Sequence, residues 1–113
     1  QWVKGKSHDT FGPVGPYLVT KDEINDVNNL NMELDLNGER MQTGNTKTMI
    51  FNVDHIVSYV SRYMSLQPGD IITTGTPPGV GMGMKPQKFL KAGDEMRLSI
   101  ELLGEQKSKV VAI

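Results

Sequence analysis

The sequence predicts an α+β domain that is mainly β, because strand patterns are frequent along the chain and helical spacing is clear in one segment. Segments 30–36 and 96–102 alternate strictly between apolar and polar side chains, as half-buried strands do. Asn37-Gly38, the pair that type I′ hairpin turns prefer, follows the first of these segments directly. We therefore expect several strands in a sheet, with one helix packed on it.

The composition excludes several classes of protein. The 113 residues suffice for one domain or part of one, and the net charge of −1 gives no basic field for nucleic acid or an anionic membrane. The chain has no cysteine and no apolar run of the roughly 20 residues that a membrane span needs. We expect a soluble cytoplasmic protein without nucleic-acid or membrane partners. Because the chain opens at Gln1 without a methionine, we also expect it to be a piece of a longer protein.

The first 20 residues are rich in glycine and proline, which disfavour a long helix. Residues 6–10 are therefore expected on a loop or short strand, and residues 17–20 on a strand. Lys6 could present an ammonium group to a carboxylate or an enolate, or it could be an ordinary solvated lysine. His8 and Asp9 are poor candidates for a catalytic dyad, because adjacent side chains on an extended chain point to opposite faces.

The hairpin around Asn37-Gly38 should begin with a strand over residues 30–36 and return through residues 39–43. Its leucine and methionine side chains share one face, and Glu33 and Asp35 share the other. Two carboxylates on one face could bind Mg²⁺, but a solvated polar face opposite the core is the ordinary explanation and the one we favour.

A helix is predicted over residues 53–64, where apolar residues recur at helical spacing. Asn52 is a suitable N-cap, and Pro68-Gly69 ends the segment. The apolar stripe of this helix should pack on the sheet. We expect His55 to be exposed or to cap the first turn rather than to act in catalysis.

Residues 69–83, GDIITTGTPPGVGMG, are predicted to form a buried strand at 71–74 followed by a bare loop. The glycine N–H groups in this loop, and the hydroxyls of Thr74 and Thr76, suit an anionic or enolic oxygen. A tight crossover between packed strands is the alternative. The glycine spacing fits neither a P-loop nor a dinucleotide fingerprint.

Four further elements are predicted after this loop. They are a turn at 91–94, the strand at 96–102, a turn at 103–105 and a partner strand at 109–113.

Three segments together resemble the fumarylacetoacetate hydrolase family, specifically the C-terminal half of its catalytic domain. They are GKSHDTFGPVGP at 5–16, LNGERMQTGNTKTMIF at 36–51, and LQPGDIITTGTPPGVG at 66–81 with FLKAGDEM at 89–96. Their order and spacing match over essentially all of residues 1–113. The first segment is most similar to the branch that cleaves 2,4-diketo-3-deoxy sugar acids and to ureidoglycolate lyase-like proteins.

The resemblance implies a mixed β-roll, here incomplete, that forms a homodimer and binds a divalent cation, commonly Mg²⁺ or else Mn²⁺ or Ca²⁺. It implies action on small 1,3-dicarbonyl or 2,4-diketo carboxylates, by hydrolysis of a carbon–carbon bond, by decarboxylation or by isomerisation through an enolate. Lys6 matches the catalytic lysine, and Asp9 and Thr10 lie in the same motif with a supporting role. Thr76 matches the family threonine that hydrogen-bonds the bound acid, and Gly75 and Thr74, beside it in the loop, are the further substrate-binding residues that we predict.

The family binds its metal through a Glu-x-Glu pair and an aspartate upstream of the GKS motif, and this chain has no match for them. No metal ligand is therefore assigned here, and the main ligands are expected outside the chain. The alternative hypothesis is a catalytically inactive fragment that serves as a dimerisation or small-anion-binding module. A third is a purely structural β domain.

Overall fold

The computed structural model describes residues 1–112, which form a four-stranded sheet with a few short helices. The strand order is β2-β1-β3-β4 and every neighbouring pair is antiparallel. The prediction of a mainly β, α+β chain is confirmed. The α-helices are α1 (Trp2–Lys6) and α2 (Val53–Ser61), and single 3₁₀ turns lie at Lys21–Glu23, Thr46–Thr48 and Gly81–Gly83. The strands are β1 (Asn31–Leu36), β2 (Glu39–Asn45), β3 (Glu95–Ile100) and β4 (Gly104–Lys109).

The predicted hairpin is present and joins β1 to β2. Asn37 and Gly38 both adopt positive φ, 52° and 81°, as a type I′ turn requires. The pairing contains one irregularity, because Leu34 lies opposite Gln42 whereas Asp35 lies opposite Arg40. Met41 is therefore an extra residue, a β-bulge in β2.

The bulge decides which way the β2 side chains point. Residues two apart on a regular strand share a face, but the extra residue sends Arg40 and Gln42 to opposite faces. Gln42 shares one face with its partner Leu34, and Arg40 shares the other with Asp35. We call the first the cleft face, which carries Met32, Leu34, Gln42, Leu98, Ile100 and Gln106, and the second the charged face, which carries Glu33, Asp35, Arg40, Arg97, Glu105 and Lys107.

Ion pairs cross the charged face from strand to strand. Arg40 bonds to Glu33, with 2.6 Å between Nη2 and Oε2, and also to Asp35. Arg97 bonds to Asp35 at 3.2 Å and to Glu105 at 2.5 Å. The hydrogen bond from Arg40 is the main reason why the pKa of Asp35 lies below its usual range. Glu33 and Asp35 thus belong to a solvated, ion-paired face, as the favoured interpretation expects.

Buried residues are few, and two of them, Leu30 and Leu36, lie at the two ends of β1. Ile24, Leu30 and Leu36 are buried, and so is the carboxylate of Asp94. Large apolar side chains elsewhere are open to solvent, and Trp2, Leu18 and Ile50 are each more than 80% exposed. The sheet therefore covers its apolar residues only in part within residues 1–112.

The N-terminal segment differs from its prediction at Lys6, which ends the single-turn helix α1 rather than lying on a loop or strand. The side chain of Gln1 caps this turn by accepting a hydrogen bond from Lys4 N at 3.1 Å. Glycine disfavours a long helix, but a helix of one turn can contain Gly5. Residues 7–10 do lie in a loop.

Two predicted strands, 17–20 and 71–74, are wrong. Both segments are irregular, and neither pairs with any strand in the described part of the chain. Leu18 and Ile71 are exposed. β-branched and aromatic residues favour a strand only where a neighbouring strand offers hydrogen bonds and packing, and within residues 1–112 no strand pairs with these segments.

The remaining elements are shifted or partly correct. Helix α2 begins after its Asn52 cap, which accepts from His55 N at 2.9 Å, but it ends at Ser61. Val57 and Met64 stay exposed, so the expected packing of the whole apolar stripe of α2 on the sheet is not observed.

Strand β4 runs over Gly104–Lys109 and not over 109–113. Residues 110–112 are not strand, and residue 113 lies outside the described residues. Of the helices in residues 1–112, none has the length and apolar character to cross a bilayer.

Candidate active-site cleft

An open cleft of about 850 Å³ lies on the cleft face of the sheet. Its floor is apolar and consists of side chains from the two central strands, namely Met32, Leu34, Leu98 and Ile100. One wall is formed by residues 13–19 and the other by Ile71, Ile72 and residues 75–77. The cleft therefore has a hydrophobic base between two irregular segments that strands β1–β4 do not include.

Two glutamines connect these walls to the sheet. The pairing places Gln42, Leu34, Leu98 and Gln106 in one row across all four strands, with a glutamine at each end. Gln106 Nε2 donates to Gly15 O at 3.1 Å, and Gln42 Nε2 donates to Thr76 Oγ1 at 2.8 Å and to Pro77 O at 2.7 Å. Each edge strand thus holds one wall through a side-chain amide.

Close packing also fixes the wall around Thr76 against β2. A Cβ added at Gly44 would lie 2.7 Å from Pro77 Cβ, and one at Gly79 would lie 2.1 Å from the bulge carbonyl, Met41 O. A Cβ at Gly81 would lie 1.8 Å from Lys88 O. Because they lack a side chain, Gly79 and Gly81 allow the loop backbone to pack directly against Met41 O and Lys88 O. They do not line the cleft, so the expected approach of their N–H groups to a ligand is not supported.

The Thr76 hydroxyl gives this wall its chemistry. Thr76 is exposed, and its oxygen accepts the hydrogen bond from Gln42, so its own hydrogen can be donated to a ligand in the cleft. Gly75 beside it also lines the cleft, with a φ of 90°. A polar donor above an apolar floor suits a small molecule that combines a carboxylate with a carbon skeleton.

The predicted site residues divide into two groups. Gly75 and Thr76 line the cleft, whereas Thr74 does not, although it precedes them directly. Lys6, Asp9 and Thr10 are exposed and are also not among the lining residues. The structure therefore brings two of the six together and leaves the roles of the other four as predictions.

Sequence reasoning missed Gln42 and Gln106. Nothing in the local pattern distinguishes Gln42 from a solvent-facing residue of a regular hairpin strand, because the Met41 bulge decides its direction. Gln106 was missed because the last strand was placed after it. If the last strand had been predicted to begin at residue 104, Gln106 would have been identified as the cross-strand partner of Leu98.

The side chains present do not form a metal cage. The carboxylates considered for Mg²⁺, Glu33 and Asp35, are ion-paired with Arg40 on the charged face of the sheet. Nowhere in residues 1–112 do three or more His, Asp or Glu side chains gather where they could hold a metal ion. The residues described thus do not fit a divalent cation by themselves.

Comparison with known proteins gives a match along nearly the whole chain. A family model described as Fumarylacetoacetate (FAA) hydrolase C-terminal matches residues 1–111. The 2,4-didehydro-3-deoxy-L-rhamnonate hydrolase of Sphingomonas sp. (strain SKA58) is 65% identical over 111 residues, which are 97% of this chain and 39% of that protein. The chain therefore spans well under half the length of this curated relative.

Solved structures share the fold. The fumarylacetoacetate hydrolase of Exiguobacterium antarcticum superposes with a TM-score of 0.94 at 46% identity, over 97% of this chain and 39% of that one. A maleylpyruvate hydrolase from Sphingobium sp. SYK-6, in complex with manganese (II) ion and pyruvate, gives a TM-score of 0.84 at 40% identity, over 92% and 37% of the two chains. The four-stranded antiparallel sheet and its short helices match these structures.

Proposed function

The chain belongs to the fumarylacetoacetate hydrolase family, and on that premise we propose that it is the C-terminal part of a hydrolase that cleaves a carbon–carbon bond in 2,4-diketo acids. Two relatives support this class of substrate through their names, a 2,4-didehydro-3-deoxy sugar acid hydrolase and a maleylpyruvate hydrolase. The second contains bound pyruvate, an α-keto acid that cleavage of an acylpyruvate would release.

The reaction follows from the structure of such a substrate. Water adds to the C4 carbonyl, the C3–C4 bond breaks, and its electron pair forms the enolate of pyruvate. A proton returned to C3 gives pyruvate, and the C4 fragment leaves as a carboxylate. The C4 carbonyl is the electrophile, and the C2 carbonyl lets the C3 leaving group depart as an enolate, so a group that binds the carboxylate end and one that stabilises the enolate are both required.

Thr76 carries the proposal, because it lines the cleft and its hydroxyl, which accepts from Gln42, keeps its own hydrogen available for donation. It would donate to the substrate carboxylate, with Gly75 beside it, and the apolar floor would contact the carbon skeleton. Lys6 would add positive charge where the enolate oxygen develops its negative charge, and Thr74, Asp9 and Thr10 would support these groups. These roles fix the substrate's orientation relative to the attacking water.

A divalent cation, Mg²⁺ or Mn²⁺, is part of the proposal for the longer protein. The manganese in the maleylpyruvate hydrolase supports it, whereas the carboxylates described here do not fit a metal site. We place its ligands in the part of the relatives' length that this chain does not span. The mixed β-roll, the homodimer and the cytoplasmic location that the family resemblance implies are proposals for the longer protein as well.

Substitution of Thr76 in the full-length protein tests the proposal. Thr76→Val keeps the shape of the side chain but removes the donor, whereas Thr76→Ser keeps the donor. A hydrogen bond to a charged group contributes about 1.5–3 kcal/mol, so we expect kcat/KM for 2,4-dioxopentanoate with Mg²⁺ to fall about 10-fold to 150-fold in the valine variant. The serine variant should lose less than about tenfold.

Two results would contradict the proposal. Equal activity of the valine variant and the wild type would remove Thr76 from the site. Failure of the wild-type protein to release pyruvate from 2,4-dioxopentanoate or from a 2,4-diketo sugar acid, with either Mg²⁺ or Mn²⁺ supplied, would remove the proposed reaction and favour an inactive small-anion-binding module.

A further inference from the structure

We propose that Gln42 is a positioning residue that fixes the direction in which the Thr76 hydroxyl donates its hydrogen. The inference rests on the proposed function, since it concerns the same carboxylate-binding wall. The geometry on which it depends is a pair of hydrogen bonds from one side-chain nitrogen, Gln42 Nε2, which lies 2.8 Å from Thr76 Oγ1 and 2.7 Å from Pro77 O.

The acceptors define the orientation of the Gln42 amide. Pro77 O is a carbonyl and can only accept, so the part of the amide that faces it must be the NH₂ group. An NH₂ group has two hydrogens, and the two acceptors at these distances use both of them. The amide is therefore held by two adjacent residues of the loop, and a flipped amide would place its oxygen against the oxygen of Pro77.

The amide orientation determines what Thr76 can do. An amide nitrogen has no lone pair available to accept, so the Thr76 hydroxyl cannot donate to Gln42 and must direct its hydrogen elsewhere. The Thr76 oxygen meanwhile receives a hydrogen, which increases the polarity of its own O–H bond. The hydroxyl is thereby prepared as a donor, the role that a substrate carboxylate requires.

Gln42 is the main polar connection between this wall and the sheet. Residues 71–79 form no backbone–backbone hydrogen bond with the described residues, and the side-chain bonds that tie them to β2 both come from Gln42. The contacts of Gly44 with Pro77 and of Gly79 with Met41 O set the distance between loop and strand. The Met41 bulge turns Gln42 toward the loop, so the register of β2 determines the position of the carboxylate-binding wall through a single side chain.

The test compares two replacements of Gln42 in the full-length protein, assayed with 2,4-dioxopentanoate. Gln42→Met keeps length and volume but removes both donors. Gln42→Glu keeps the shape and offers an acceptor, so the Thr76 hydroxyl would donate to the glutamate and turn away from the substrate. Because Thr76 binds a group that does not react, we expect the loss mainly as a rise in KM, about tenfold for methionine and more for glutamate.

A double-mutant cycle with Thr76→Val separates positioning from a general structural role. If Gln42 acts through the Thr76 hydroxyl, Gln42→Met should have less than about a twofold effect on KM once the hydroxyl is absent. Gln87→Met is the matched control, because Gln87 also donates to a backbone carbonyl, Met82 O at 2.9 Å, but lies outside the cleft. It should keep KM within about twofold of the wild type.

The outcomes separate this inference from the proposed function. If Thr76→Val lowers kcat/KM but Gln42→Met does not raise KM, the inference is wrong and the proposed function stands. If the two effects are fully additive, Gln42 acts independently of the hydroxyl and the inference is also wrong. If Thr76→Val has no effect, the proposed role of Thr76 fails first. Should Gln42→Met unfold, Gln42→Glu and the dissociation constant for pyruvate provide the same comparison.

Discussion

Asp94 connects two turns at one end of the sheet through both of its carboxylate oxygens. One oxygen accepts from Asn37 Nδ2 and the other from Lys91 N, each at 2.9 Å, and the residue is buried. The hydrogen bond from Asn37, followed by that from Lys91, lowers the pKa of Asp94, while its burial acts in the opposite direction. The ionised form is thus part of the folded structure.

Asp94 should therefore make stability depend on pH in the acid range. A carboxyl whose pKa is lower in the folded state contributes stability above its unfolded pKa, about 3.9, and the contribution is lost as pH falls toward the folded value. Asp94→Asn should flatten that part of the curve, because it leaves nothing to titrate. Urea unfolding from neutral pH to below pH 3.9 measures the effect, with the exposed Asp54→Asn as control. Parallel curves for wild type and Asp94→Asn would refute this role.

Lys6 is exposed at the C-terminal end of α1 and does not line the cleft, so its predicted role depends on the family motif. Removal of one stabilising donor typically costs about 10²–10³ in turnover, and we expect that loss in kcat for Lys6→Ala in the full-length protein. Lys4→Ala, in the same helical turn, is the control and should retain wild-type kinetics. Normal kcat in Lys6→Ala would rule out the catalytic assignment.

The wall that carries Thr76 depends on close contact between the loop and the β2 bulge. Gly79 has a φ of 111°, and a Cβ there would meet Met41 O at 2.1 Å, so Gly79→Ala combines backbone strain with overlap. We expect a loss of about 1–3 kcal/mol in the free energy of unfolding and a higher KM, because Thr76 moves with the loop. Thermal and urea denaturation measure the first effect.

Gly83→Ala is the matched control, since a Cβ at Gly83 meets nothing within 4 Å and its φ is not positive. Its stability and its KM should stay close to those of the wild type. If the two alanine variants behave alike, the loop does not depend on its contact with the bulge.

Local chemistry predicted some elements well and others poorly. The hairpin was predictable because Asn37-Gly38 and strict alternation agree, and α2 because Asn52 caps a clear apolar period. The last hairpin was placed too late because its turn centres on Leu102, whose φ of 64° is unusual for a branched residue. The strand predicted at 71–74 is wrong because a β-branched run forms a strand only beside a partner strand, and the local sequence does not reveal whether there is one.

The same limit applies to the cleft. Thr76 and Gly75 were identifiable because a Gly-Pro loop after a β-branched run exposes its hydroxyls and N–H groups. Gln42 was not, because its direction reflects a register irregularity between two strands. Lys6 was a candidate from its local sequence, but an ordinary solvated lysine fitted that sequence as well, and the family motif gave it the catalytic role. Residues that act through local turn chemistry were thus predictable, and residues that act through strand pairing were not.

At the scale of the whole molecule, few apolar side chains of residues 1–112 are buried and many large ones are exposed. Ile24, Leu30 and Leu36 are the buried apolar residues of the described chain, whereas Trp2, Leu18 and Ile50 are each more than 80% exposed. A small buried core contributes little against the conformational entropy of the chain. The apolar floor of the cleft adds to the uncovered surface.

We therefore expect a polypeptide of residues 1–113 alone to be weakly stable. It should bind the dye ANS strongly at neutral pH and unfold over a broad urea range, whereas the full-length protein should bind little dye and unfold cooperatively. Fluorescence and circular dichroism on the two polypeptides make the comparison. A sharp transition and negligible dye binding for residues 1–113 would contradict the expectation.

The Met41 bulge has a consequence for how this hairpin can vary in length. Between the Asn37-Gly38 turn and the cleft, β2 contains one residue more than β1, and that odd count places Arg40 among the ion pairs and Gln42 beside the loop. Deleting Met41 alone would make the ladder regular and leave Arg40 opposite Asp35 and Gln42 opposite Leu34, because the bulge accommodates the one extra residue without changing either pairing. Related sequences that are one residue shorter between residues 38 and 42 should therefore lack the bulge and still carry their equivalents of Arg40 and Gln42 on opposite faces.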